Sequence, residues 1–113
     1  PSPITMGYTN FLRASAAGDD YVVGAAAILP CYWLYEEVGA VLSSQNHADH
    51  PYAEWLSMYG GEEFAAEVAR SLAGGERAVE AASPAQRVCA ARAYLSACVY
   101  EREFFDQAHR ALR

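Results

Sequence analysis

Two residues stand out by type and setting. Cys31 follows Pro30 and shares a helical face with Tyr35 one turn on, while Ala27 one turn back is small enough to leave room beside the thiol. A thiol next to a proline kink, with a phenol one turn away, could form a pocket wall. Free cysteine is equally at home as a small buried hydrophobe, so local sequence leaves both readings open. Glu101 falls at offsets of three and four among Tyr94, Ala97, Cys98, Phe104, Phe105 and Ala108, an acid set in an apolar stripe. Burial without a partner raises a carboxyl pKa, which is how enzymes tune Glu to move protons near neutrality. The alternative is a solvated Glu101 at the stripe edge beside Arg102, Glu103 and Asp106.

The chain also carries eight tyrosines, with Tyr8, Tyr35, Tyr52, Tyr59 and Tyr94 expected on inner helix faces. Flat aromatic walls suit a flat heteroaromatic ligand, although an aromatic stripe serves equally as core. Cys89 and Cys98 lie among alanines of the last helix, near Arg87 and Arg92, and read as structural. His47, His50 and His109 form no His-x-x-x-His, Glu-x-x-His or mixed Cys/His/carboxylate spacing, which speaks against a metal site. A glycine-rich phosphate loop is absent as well.

The elements that must position these residues are all helical. Thr5 is expected to cap a first helix from about Met6 to Ala17, stopped by Gly18. Asp19 or Asp20 opens a second, reaching about Ser44, in which Pro30 should produce a kink just before Cys31. His50-Pro51 begins a third, with Tyr52, Trp55, Leu56 and Tyr59 on one face, ended by Gly60-Gly61. A fourth runs from Glu62 to about Leu72, is closed by Gly74-Gly75, and is followed by a short turn to Ala82. Ser83, Pro84 and Gln86 supply cap, first-turn proline and capping-box partner for a last helix reaching Leu112. No segment alternates with period two, so the fold class is all-α.

That last helix, about 28 residues at ~1.5 Å each, is ~42 Å long, whereas a compact domain of this size is roughly 34 Å across. Either neighbouring chains cover the overhang or part of the fold lies elsewhere. A formal charge of -6 has the wrong sign for phosphates or anionic lipid, so nucleic acid and membrane are not expected partners. The longest charge-free stretch, Tyr21 to Tyr35, is shorter than the ~20 residues that span a bilayer. With no basic and apolar leader at its start and an odd three cysteines, the chain reads as cytoplasmic with free thiols.

Four ordered blocks give these observations a family. Leu29-Pro30-Cys31-Tyr32-Trp33-Leu34-Tyr35-Glu36-Glu37-Val38-Gly39 resembles the signature of the TenA/thiaminase II family. So do Pro3 to Leu12 with Tyr8, His50-Pro51-Tyr52-Ala53-Glu54-Trp55 on to Tyr59 and Phe64, and Tyr100-Glu101-Arg102-Glu103-Phe104-Phe105-Asp106. The last block reads Phe104-Phe105 where the family often has Phe-Trp.

The resemblance implies a haem-oxygenase-like helical bundle without haem or other cofactor. Residues 1–113 would be the C-terminal part of one TenA-type domain, cytoplasmic and homo-oligomeric, a tetramer by family likeness, or associated with a missing N-terminal half. The implied activity is a hydrolase of thiamin salvage that converts an aminomethyl pyrimidine to the hydroxymethyl pyrimidine, with thiamin itself also cleaved by some members. By motif match Cys31 takes the nucleophile position, Glu101 and Tyr59 the proton-handling pair, and Tyr8, Tyr35 and Phe104 the substrate walls. The family's first half normally adds an aspartate that anchors the pyrimidine, which has no counterpart here. The reading from a different class is a non-catalytic helical module that binds pyrimidine or regulates.

Overall fold

A computed structural model describes residues 1–111. Its elements are α1 (Pro3–Ala17), α2 (Tyr21–Leu42), a single 3-10 turn (Ser43–Gln45), α3 (Ala53–Tyr59), α4 (Glu62–Ala81) and α5 (Pro84–Ala111). The chain is all-α, as expected. The expected end of the last helix at Leu112 lies outside the described residues.

Three expected boundaries are corrected. Helix α1 begins at Pro3, with Ser2 as its cap: the Ser2 hydroxyl accepts from the Thr5 amide at 3.1 Å, so Thr5 is inside the helix. Proline's fixed φ suits the first turn, and its missing N–H is one that the first turn leaves unpaired anyway. Helix α3 starts at Ala53, because His50 and Pro51 form a turn in which the His50 Nδ1 accepts from the Tyr52 amide at 3.0 Å. Helix α4 runs on through Gly74-Gly75 to Ala81. Gly75 is buried, and a Cβ there would stand 2.8 Å from the Leu29 Cδ1, so this glycine lets α4 approach α2 instead of stopping a helix.

The other signals act as their chemistry requires. At α5 the Ser83 amide donates to the Gln86 Oε1 at 2.8 Å and the Gln86 amide to the Ser83 Oγ at 3.2 Å, a reciprocal capping box. Helix α2 continues as one element through Pro30, which is fully buried. Proline has no N–H, so the Ala26 carbonyl loses its usual helical donor there.

Helix α2 is the hub, packing on α5 most extensively and also on α4, α1 and α3, while α1 lies against α5. The assembly measures 50 × 34 × 18 Å, so it is about two helix diameters thick and long in the direction of α5. Its core is built from small side chains: Val22 and Ala26 of α2 meet Ala90 of α5, with Val23, Ala78, Ala82 and Tyr94 around them. Among the described residues no helix is long and apolar enough to cross a membrane.

Gly39 brings α2 hard against α3, where an added Cβ would fall 2.3 Å from the Tyr59 carbonyl oxygen. Backbone cannot yield as a flexible side chain does. At Gly74 a Cβ would meet only the Arg77 Nη2, at 3.8 Å. Gly39→Ala should therefore destabilise the protein by about 1–2 kcal/mol, overpacking exceeding the helix-propensity gain. Gly74→Ala should stabilise it by about 0.5–1 kcal/mol. Urea unfolding of both variants checks the opposite signs.

Candidate functional site

The buried face of α5 carries Ala90, Ala93 and Ala97 and then Glu101, spaced by three and four residues. The stripe that the apolar spacing marks out is thus the one that packs inward, and Glu101 lies within it, 1% exposed, where solvation at a stripe edge was the alternative. Alanines bring the helices close, so the first long side chain in the row is enclosed by its neighbours.

One oxygen of the carboxylate is held by a helix far away in sequence. The Tyr8 hydroxyl donates to the Glu101 Oε1 at 2.5 Å. Tyr8 is itself buried and stacks on Tyr100, ring centroids 5.3 Å apart and planes at 2°, while Phe11 tilts against the same ring at 5.4 Å. Burial, then the bond to Glu101 and its charge, push the Tyr8 phenol far above its ordinary value. Tyr8, expected as a pocket wall, thus has its hydroxyl engaged by the carboxylate.

Cys31 approaches the same carboxylate from α2. Burial first, then the Glu101 charge and a side-chain contact with it, push the thiol up from 9.0 to about 11. The Glu101 Oε2 is buried with no hydrogen-bond partner among the described residues. Tyr35, one turn beyond Cys31, is also raised, by burial and then by the charges of Glu101, Cys31 and Tyr59. Helices α1, α2 and α5 therefore bring Tyr8, Cys31, Tyr35 and Glu101 together. No cation is among the causes acting on the thiol.

Tyr59 joins through Tyr35, with ring centroids 5.2 Å apart, and continues the aromatic row to Trp55 at 4.8 Å and Phe64 at 4.9 Å. From α5 it is Phe105 that touches Tyr35, at 5.7 Å. Phe104 is half-buried and packs edge-on against Phe105 at 6.0 Å. The sequence does not single out Trp55 or Phe105 as site residues. Their signal was present, Trp55 sharing the face of Tyr59 and Phe105 adjoining Phe104, but periodicity alone does not say which ring points at Tyr35.

Of the other cysteines, Cys89 is exposed, while Cys98 is half-buried and contacts the Tyr94 hydroxyl. Among the described residues no cluster of His, Cys, Asp and Glu could hold a metal ion.

Residues 1–111 match the profile of the TENA/THI-4/PQQC family. The chain is 59% identical over 110 residues to the thiamine biosynthesis multifunctional protein ThiED of Corynebacterium efficiens, covering 97% of this chain and 15% of that protein. It is 33% identical over 113 residues to the aminopyrimidine aminohydrolase of Bacillus subtilis, covering 97% of this chain and 47% of the relative. With the aminopyrimidine aminohydrolase of Halalkalibacterium halodurans the identity is 28% over 111 residues, 96% of this chain and 50% of the relative. The chain thus spans about half the length of these aminohydrolases and a smaller share of ThiED.

The raised thiol gives a pH test. The fold favours the protonated Cys31, so this group's contribution to stability is complete below pH 9 and is lost as pH rises towards about 11. Alkylation of Cys31, followed by peptide mass spectrometry, should be slow at neutral pH with a midpoint near 11. In Glu101→Gln the midpoint should fall yet stay above 9.0, because burial, the larger cause, remains. An unmoved midpoint would mean that the carboxylate charge does not reach the thiol.

Proposed function

The chain belongs to the TENA/THI-4/PQQC family, and from that premise we propose that it carries the catalytic helices of a thiamin-salvage hydrolase that converts an aminomethyl pyrimidine to the hydroxymethyl pyrimidine. In this reading residues 1–113 are the C-terminal part of one TenA-type domain. The observation that carries it is Glu101: an almost fully buried carboxylate, one oxygen held by Tyr8 and the other unpartnered, in contact with a thiol.

Each group has a step that its chemistry suits. The Cys31 S–H proton passes to Glu101 as sulfur bonds to an electron-deficient ring carbon of the pyrimidine. Glu101 returns that proton to the exocyclic amine, whose C–N bond breaks and releases ammonia. Water then adds to the exocyclic carbon and its proton goes to Glu101. The C–S bond breaks, sulfur recovers the proton, and the hydroxymethyl product leaves. Tyr8 fixes the carboxylate, while Tyr35 and Tyr59, with Phe104 behind Phe105, form the aromatic walls against which a flat ring would lie. Tyr59 assists proton handling through its place beside Tyr35.

Relatives named aminopyrimidine aminohydrolase support the substrate class. Exposed apolar side chains such as Val41 (69%) and Leu95 (64%) support a fold completed by the rest of a TenA-type domain or by further copies. A second reading, a pyrimidine-binding module without turnover, draws on the thiol's being held protonated at rest.

Substitution separates the two. In the full-length protein Cys31→Ser should abolish ammonia release from aminomethyl pyrimidine while ligand binding persists, and Glu101→Gln should slow release by about 10²–10⁴-fold. Cys89→Ser and Cys98→Ser should be nearly silent. Equal losses from all three cysteines would remove the nucleophile assignment, and unchanged binding without any wild-type turnover would favour the binding module.

A further inference from the structure

We propose that Gln107 is a positioning residue, clamping the start of α1 onto α5 so that the Tyr8 hydroxyl is delivered to Glu101. Its Oε1 accepts from the Ser2 hydroxyl, and its Nε2 donates to the Thr5 Oγ1 at 3.2 Å. Ser2 is also the cap of α1, its Oγ accepting from the Thr5 amide, so the clamp grips the helix at its first turn.

The register makes the connection. Ser2 meets Gln107 and Tyr8 meets Glu101, so α1 and α5 run antiparallel and the same six residues separate the two contacts on each chain segment. On a helix that is about 9 Å. A slip of one turn would carry the Tyr8 hydroxyl ~5.4 Å along α5, beyond hydrogen-bonding reach of the carboxylate. The remaining contacts between α1 and α5 are less demanding of register. They include the ring stack of Tyr8 on Tyr100 and the nearby Gly7, where even a Cβ would stand 3.4 Å from the Tyr100 ring. Stacked rings tolerate sliding, whereas two hydrogen bonds to one amide do not.

The proposal concerns the geometry of the Tyr8–Glu101 pair, and its meaning for catalysis rests on the hydrolase reading above. Two variants test it. Gln107→Ala removes the clamp, and Thr5→Val removes the Thr5 hydroxyl, hence the Nε2 acceptor and its bond with the Ser2 hydroxyl, while keeping side-chain shape. In protein carrying ring-labelled tyrosine, NMR titration of Tyr8, assigned with Tyr8→Phe, should show the wild-type phenol still protonated well above the ordinary tyrosine value of 10.0. In both variants its midpoint should fall towards that value, further in Gln107→Ala, which loses the Ser2 bond as well, and the double variant should fall no further than Gln107→Ala. Because burial is the largest cause of the raised Tyr8 value, Gly39→Ala serves as a destabilised control away from the clamp, and it should lower the melting temperature and leave the Tyr8 midpoint where it is.

Ammonia release by the full-length variants should fall about ten-fold in kcat. An unmoved Tyr8 midpoint in both variants overturns the proposal. A moved midpoint with unchanged kcat upholds the clamp and overturns instead the role of the Tyr8–Glu101 pair in hydrolysis.

Discussion

A carboxylate enclosed between alanine-rich helices is the constraint to which the rest of the structure answers. Glu101 is 1% exposed in a row with Ala90, Ala93 and Ala97, where an uncompensated charge would cost several kcal/mol. The compensation comes from outside α5. Tyr8 reaches it across 93 positions of sequence, which requires α1 to lie antiparallel on α5. That placement in turn draws in Tyr100 as a stacking surface, Gly7 for close approach, and the hydrogen bonds at Ser2, Thr5 and Gln107. Helix α1 is thus held on two sides, by packing against α2 and by polar and aromatic contacts to one face of α5.

Helix α2 supplies the thiol beside Glu101 because its own inner face is small. Ala26, Ala27 and Pro30 are buried, so α2 sits close enough to α5 for Cys31 to touch the carboxylate. The same closeness recurs at the other interfaces of α2, through Gly75 with α4 and through Gly39 with α3. The second of these sets Tyr59 beside Tyr35, since the Gly39 backbone rests on the Tyr59 carbonyl. Small residues therefore decide where the large ones meet, and the aromatic row from Phe105 through Tyr35 and Tyr59 to Phe64 links α5, α2, α3 and α4.

What could be read from sequence follows the range of the interaction. The capping box at Ser83 and Gln86 lies within one turn and is written in adjacent residues, so it was legible. Gly74-Gly75 was misleading because glycine serves both as a helix stop and as a site of close packing, and only Leu29, 46 positions away, decides between them. Thr5 read as the cap of α1, whereas Ser2 caps it, because Pro3 suits the first helical position and starts the helix two residues earlier. Periodicity gave the face on which Glu101 lies but not its depth, which depends on α2. The Tyr8–Glu101 bond has no local trace at all. The family resemblance carried Tyr8 and Glu101 into one site, but as wall and proton carrier, without the bond between them.

A thiol with a pKa raised to about 11, and with no cation among the described residues acting on it, needs another route to serve as a nucleophile. A free thiolate stabilised in advance is not what this site provides, since helix dipoles or cations would be needed and the nearest charge is negative. What it provides is an acceptor in contact with the S–H, so proton loss and attack can occur in one event. Under the hydrolase reading the Glu101 Oε2 is central to this arrangement. An oxygen left unpartnered in a buried site costs free energy in the resting protein, and an amine or water arriving with the pyrimidine would satisfy it. The carboxylate already fixed by Tyr8 needs little reorganisation when the proton moves. A second donor locked onto Oε2 would occupy the oxygen that the arriving amine or water is to meet.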